Sequence, residues 1–223
     1  MVSPSVLLRS LFAASVLSLS IAQPAAATVC VDAHVRPTGL PLNSVSLESM
    51  MKEAAAIWAP YGVVIRWMVG SHPEGCASAD SSIAVQVDNT GRRGSTARPL
   101  TLGMTRRAVS RAGPVPIRLD YGAVERLLGS LTADTLGRVV GRQYLAPADV
   151  GRALGRVLAH EVGHVLLAGP GHRRRGLMRP SFVPSELVDY RRRSYTLSSA
   201  EIAAIAARGG SAGQSPEASV TDD

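Results

Sequence analysis

The sequence predicts an α+β domain, and three patterns along the 223 residues predict it. Runs of strand periodicity fill the first half, with one helical stretch between the first two. A long helical run of apolar residues follows from Pro147, and a capped helical signal stands near the C-terminus.

The chain opens on a leader. Residues 1–27 hold a basic Arg9, an apolar run over 11–22 and Ala25-Ala26-Ala27 at the end, which together read as a signal peptide. The apolar run is short for a bilayer, and no later segment is long and apolar enough to replace it. The expectation is a secreted or periplasmic protein without a stable membrane anchor. It comprises a single domain over 28–208 and a small, polar, disordered tail over 209–223. In an oxidising compartment Cys30 and Cys76, the two cysteines of the chain, are expected to form a disulfide.

TVCVDAHV, at 28–35, has the apolar spacing of a strand. Over 44–59 the apolar Val45, Met50, Ala54, Ile57 and Trp58 recur at near-helical spacing, and Pro60-Tyr61-Gly62 ends that helix. Residues 63–69 are β-branched and aromatic, and Ile83, Val85 and Val87 alternate with Ala84, Gln86 and Asp88, so two more strands follow. Shorter strands are predicted at 100–104 and 116–119, a Gly- and Arg-rich loop at 89–98, and a short helix at 121–128. Residues 131–146 form a connecting stretch. A helix of about twenty residues then starts near Pro147, with Asp149 set against its positive end. Its apolar residues are Val150, Leu154, Val157, Leu158, Val162, Val165 and Leu166. Ser198 and Glu201 make a capping box ahead of Ile202 and Ile205, the mark of a closing helix.

The long helix carries the chemistry. Within LAHEVGHVLLAGPGH, His160 and His164 are four apart and project from one helix face, so both imidazoles can reach one metal ion. Glu161 follows the first by about 100° of helical rotation, which puts a carboxylate beside that ion as a base rather than a ligand. This is the two-ligand-plus-base pattern of zinc peptidases. A catalytic zinc takes three protein ligands, so a third donor is required. His172 is one candidate, because Gly169-Pro170-Gly171 should stop the helix and reverse the chain. Glu186, in PSELVDY, is the other, on what reads as a short helix. Taken alone, Met178 would be core filler.

From His160 to Met178 the chain resembles the metzincin metallopeptidases, which carry HExxH, a glycine, a third histidine and then a tight turn with a methionine beneath the metal. The spacing departs from that family: Leu167 and Pro170 stand where its glycine and third histidine would be, and the GxxH element is reached two residues later. The resemblance implies a zincin fold with a mixed twisted sheet, a long zinc-binding helix and a small C-terminal helical subdomain. It implies zinc on His160, His164 and His172, Met178 as an apolar floor, and hydrolysis of peptide or protein substrates with Glu161 as general base. An edge strand would border the cleft and pair with an extended peptide. Tyr190 and Tyr195 are the tyrosines near enough in sequence to assist an oxyanion. Two alternatives stand beside this: a zinc hydrolase with Glu186 as third ligand, and a catalytically silent binding domain that retains zinc. His34 and His72 have no partner at ligand spacing.

The formal charge is +7, with Lys52 the sole lysine, and the arginines cluster as Arg173-Arg174-Arg175 and Arg191-Arg192-Arg193. Such triplets are by default a solvated face, although guanidinium forks beside the predicted site could clamp a carboxylate. Nucleic acid is not expected as a partner, since aromatics make up 4% of the chain and do not interleave with the basic residues. A monomer is expected.

Overall fold

The computed structural model describes residues 29–37, 42–69, 81–88, 101–106, 113–129, 145–167 and 171–211. Its strands are β1 (Val29–Pro37), β2 (Val63–Val69), β3 (Ser81–Asp88), β4 (Gly103–Thr105) and β5 (Val115–Asp120). They form one sheet in the order β2-β1-β3-β5-β4. All neighbours run parallel except β4, which lies antiparallel to β5 at the edge. The register aligns Ala33 with Trp67 and Ile83, and Ile83 with Val115. Val29, Val31, Ala33 and Val35 of β1 are buried together with Ile83, Val85, Val87, Ile117 and Leu119, which makes one apolar sheet face.

Among the described residues the helices are α1 (Ser44–Trp58), α2 (Tyr121–Gly129), α3 (Pro147–Leu166), α4 (Pro184–Val188) and α5 (Ser199–Ser211). Asn43 caps α1 by accepting the Ser46 N–H at 2.8 Å. A 3-10 turn, Ala59–Tyr61, ends α1, and Gly62 at φ 73° reverses the chain into β2, a conformation that favours glycine. α3 starts at Pro147 with Asp149 in its first turn, and Arg152 pairs with Asp149 at 2.7 Å. α5 is closed at its start by Ser198 and Glu201, whose carboxylate accepts the Ser198 N–H at 2.7 Å.

The buried side of α1 is set by Met50, Ala54, Ile57 and Trp58, while Val45 is 51% exposed. Ser46 takes the inward position instead, because α1 lies against the start of α3 and its hydroxyl donates to the Pro147 carbonyl at 2.9 Å. The helix at the C-terminus continues through Ser211, three residues into the predicted tail, which is therefore shorter than expected. The predicted leader, the loop 89–98 and Cys76 with its pairing to Cys30 lie outside the described residues, as does all of 131–146 but Leu145 and Ala146. Among the described residues no helix is long and apolar enough to cross a membrane.

α1 and α3 pack backbone to backbone at two glycines one turn apart. A Cβ at Gly151 would meet the Ser46 carbonyl, and one at Gly155 would stand 2.6 Å from the Met50 carbonyl and 2.8 Å from the Glu53 Cβ. Trp58 Nε1 donates across the same interface to the Ala159 carbonyl at 3.1 Å. Arg156, fully buried, donates from Nε to Glu53 at 2.8 Å, and its other nitrogens reach the carbonyls of Glu186, Asp189 and Arg191. Arg192 meets the other Glu53 oxygen at 2.7 Å. The buried charges are thus paired and bonded, and α1, α3 and the segment after α4 are tied at one point.

Gly155→Ala decides between two opposing effects. Alanine favours an open helix by about 1 kcal/mol, whereas a Cβ pressed on a backbone carbonyl forces helix separation at a cost of about 1–3 kcal/mol. The variant is expected to be less stable by about 1–2 kcal/mol in urea denaturation; a gain in stability would mean that α1 can withdraw freely.

Candidate metal centre

α3 places His160 and His164 on the same side of its last turns, and their Nε2 atoms lie 3.1 Å apart. The other ring nitrogen of His160, Nδ1, is 2.8 Å from the Leu177 carbonyl. A carbonyl only accepts, so Nδ1 carries the proton and Nε2 presents its lone pair toward His164. Burial above all, with smaller electrostatic effects of His164, His172 and Arg179, pushes the His160 pKa down to about 4 against the opposing effect of the Leu177 bond. The imidazole is therefore neutral at neutral pH, the form that binds metal.

His172 completes the cluster. Its ring stacks on His160 at 5.3 Å and meets His164 edge-on at 5.0 Å. One nitrogen from each of the three residues lies within 4.8 Å of the others, and among the described residues this is the group of potential ligands that converges. Two imidazole nitrogens bound tetrahedrally to zinc at 2.0–2.1 Å stand about 3.3 Å apart, close to the 3.1 Å found between the first two. The donor set, its spacing and the fixed tautomer fit zinc, with three protein ligands and a further coordination position for water or substrate.

The loop that returns His172 is pinned at both ends. The Arg173 N–H donates to the Met178 carbonyl at 2.7 Å, and the Leu177 N–H to the Thr196 carbonyl at 2.9 Å. Gly176, at φ 82°, passes so near the Thr196 carbonyl that a side chain there would collide with it. Met178 is buried, its sulphur pressed against Gly163 of α3 where a Cβ would overlap it. The Phe182 ring lies edge-on to His160 at 5.4 Å. His160 itself is buried.

Glu161 is buried beside the cluster and held by the edge strand. The Thr105 hydroxyl lies 2.6 Å from its Oε2 and 3.1 Å from its backbone carbonyl. Burial raises its pKa above the usual carboxylate range, with the Thr105 bonds and the His172 charge opposing. A Cβ at Gly103 would come within 2.9 Å of Glu161 Oε1, so glycine there leaves that oxygen uncovered. Neither Thr105 nor Gly103 was marked by sequence: the predicted strand stops one residue short of Thr105, and the contact spans 56 positions.

Glu186 is not part of the histidine cluster. Its carboxylate pairs with Arg179 at 2.7 Å and accepts from Ser194 at 3.1 Å, which makes it a tether for the segment after α4 rather than a donor to the three imidazoles. The Tyr195 hydroxyl donates to the Glu186 carbonyl at 3.1 Å, and burial drives its pKa up to about 12. Tyr190 is 80% exposed with Arg152 over its ring. Neither phenol is directed to the cluster. His34 sits in β1 apart from it, and His72 lies outside the described residues.

No family model matches the chain, and no curated protein matches it. Among solved structures it is similar to archaemetzincin from Methanopyrus kandleri, at 14% identity over 84% of this chain and 98% of that one, with a TM-score of 0.46.

Metal titration of two variants separates the candidate third ligands. His172→Ala is expected to weaken zinc binding by at least about 100-fold, while Glu186→Ala leaves it within a few-fold of wild type. The reverse pattern in calorimetry would remove His172 from the ligand set.

Proposed function

We propose that the chain is an exported, monomeric zinc peptidase that hydrolyses peptide bonds with His160, His164 and His172 as ligands and Glu161 as general base. The observation that carries this is the convergence of three imidazoles, one with its tautomer fixed by the Leu177 carbonyl, beside a buried carboxylate. The HExxH pattern and the sequence of residues 1–27 support peptidase chemistry and export respectively.

Bound there, zinc supplies Lewis acidity, which polarises an amide carbonyl and makes water a nucleophile at neutral pH. The chain's own residues do the rest. Glu161, its proton affinity raised by burial, takes the proton from the attacking water and passes it to the leaving amine. Thr105 holds Oε2 in place, and Oε1 faces the gap left by Gly103. β4 is the edge of the described sheet and antiparallel to β5, so an extended peptide laid along it would run past this carboxylate. Leu177 and Phe182 keep His160 aligned.

Glu161→Gln is expected to retain one zinc per chain and to lose peptide hydrolysis by a factor of about 10²–10⁴. Unchanged turnover in that variant would remove Glu161 as the base, whereas zinc binding with no cleavage by the wild type would favour a silent zinc-retaining domain. Thr105→Val should lower kcat about tenfold with little change in KM, because it removes a hydrogen bond to a charged group, and Thr105→Ser should restore it. An equal loss in both variants would show that Thr105 acts through packing.

A further inference from the structure

The loop that starts at His172 and ends at Leu177 and Met178 carries Arg173, Arg174 and Arg175 between them. These three residues, with Ser198, Ala200 and Glu201 around the start of α5, line a cavity of about 660 Å³. The acidic group in its wall is already engaged. Glu201 is buried, one of its oxygens accepts from the Ser198 N–H and hydroxyl at 2.7 and 2.8 Å, and the other faces Arg173 at 3.6 Å. Arg174 and Arg175 are exposed and make no ion pair among the described residues. Two arginines without an ion pair among the described residues thus line the cavity, on a loop fixed by the Arg173–Met178 and Leu177–Thr196 backbone bonds.

That loop sets the distance to the metal centre. Consecutive Cα atoms are about 3.8 Å apart, so the Arg175 Cα lies within roughly 11 Å of the His172 Cα. An extended peptide advances about 3.4 Å per residue, so the backbone of Arg175 lies within about four residues' length of the backbone of His172, and the cavity is within reach of a peptide held at the three imidazoles. Guanidinium forks at this range select a planar anion of carboxylate geometry.

We propose that this cavity is a carboxylate subsite that takes an acidic side chain or the terminal carboxylate of a bound peptide, a few residues from the scissile bond. The proposal rests on the peptidase reading for its link to cleavage, but not for binding itself. Arg174 and Arg175 supply the recognition, while Arg173 is shared with Glu201.

The test uses fluorescein-labelled octapeptides and zinc-loaded full-length protein bearing Glu161→Gln, so that affinity is read by anisotropy without turnover. A peptide with two glutamates and an amidated C-terminus, its glutamine counterpart, and the glutamine peptide with a free C-terminus separate the two carboxylate sources. One of the two carboxylate-bearing peptides is expected to bind about tenfold tighter than the amidated glutamine peptide in low salt, the advantage shrinking as salt rises. Arg174→Gln/Arg175→Gln should abolish the advantage, and the double lysine variant, which keeps charge without the fork, should retain part of it. Equal affinities for all three peptides, or an advantage that survives the double glutamine substitution, would overturn the proposal. Preference in binding with no cleavage of any peptide by the wild type would instead overturn the peptidase reading and leave the carboxylate subsite standing. Cleavage without any charge preference would do the opposite.

Discussion

The hydrogen bond from His160 Nδ1 to the Leu177 carbonyl is the constraint on which the centre depends, since it joins the helix bearing two imidazoles to the loop bearing the third. It sets the His160 tautomer, so that Nε2 is free to bind a cation. It also fixes where the chain after α3 returns, because Leu177 is held in turn by Thr196 and Met178 sits under Gly163. A neutral hydrogen bond contributes only about 1 kcal/mol net, but leaving a buried ring nitrogen or carbonyl without its partner costs about 1–3 kcal/mol. The geometry is held by that asymmetry more than by the strength of the bond.

The frame behind the loop has little room to adjust. α3 cannot rotate without turning Gly151 and Gly155 away from α1 and bringing residues with side chains against its backbone, nor slide without separating Arg156 from Glu53 and from three carbonyls of α4 and the segment that follows it. Arg192 and the Tyr195 ring close around the same guanidinium pair. The ion pair thus serves as a junction between α1, α3 and the C-terminal part. Removing Glu53 would leave the buried Arg156 without a counter-charge, a loss of about 3–5 kcal/mol. On the other side, β4 is short and antiparallel, and its Thr105 and Gly103 govern how Glu161 is held and how far it is covered.

Where local pattern decides structure, the sequence was informative. β2 spans 63–69, the bounds its β-branched run predicts, and α3 begins at Pro147 and ends at Leu166, where periodicity and cap chemistry agree. Two of the histidines were legible because helical geometry sets them on one face, whereas His172 was one of two candidates for the third place and was favoured through the metzincin resemblance; the structure groups it with the other two. What lay hidden was tertiary. Leu177 acts through its carbonyl, which side-chain identity does not encode, and Thr105 meets Glu161 only because the antiparallel edge strand crosses α3. Glu186 had ligand-like spacing, but Arg179 and Ser194 engage it, partners that spacing does not weigh. Val45 fits the apolar period of α1 yet faces solvent, since the close approach of α3 favours small Ser46 at the interface.

Zinc K-edge X-ray absorption of the zinc-loaded protein tests the central claim most directly. Three imidazole nitrogens at about 2.0–2.1 Å are predicted in the wild type and two after His172→Ala. A wild-type spectrum with two imidazoles and a protein carboxylate or thiolate would contradict the account.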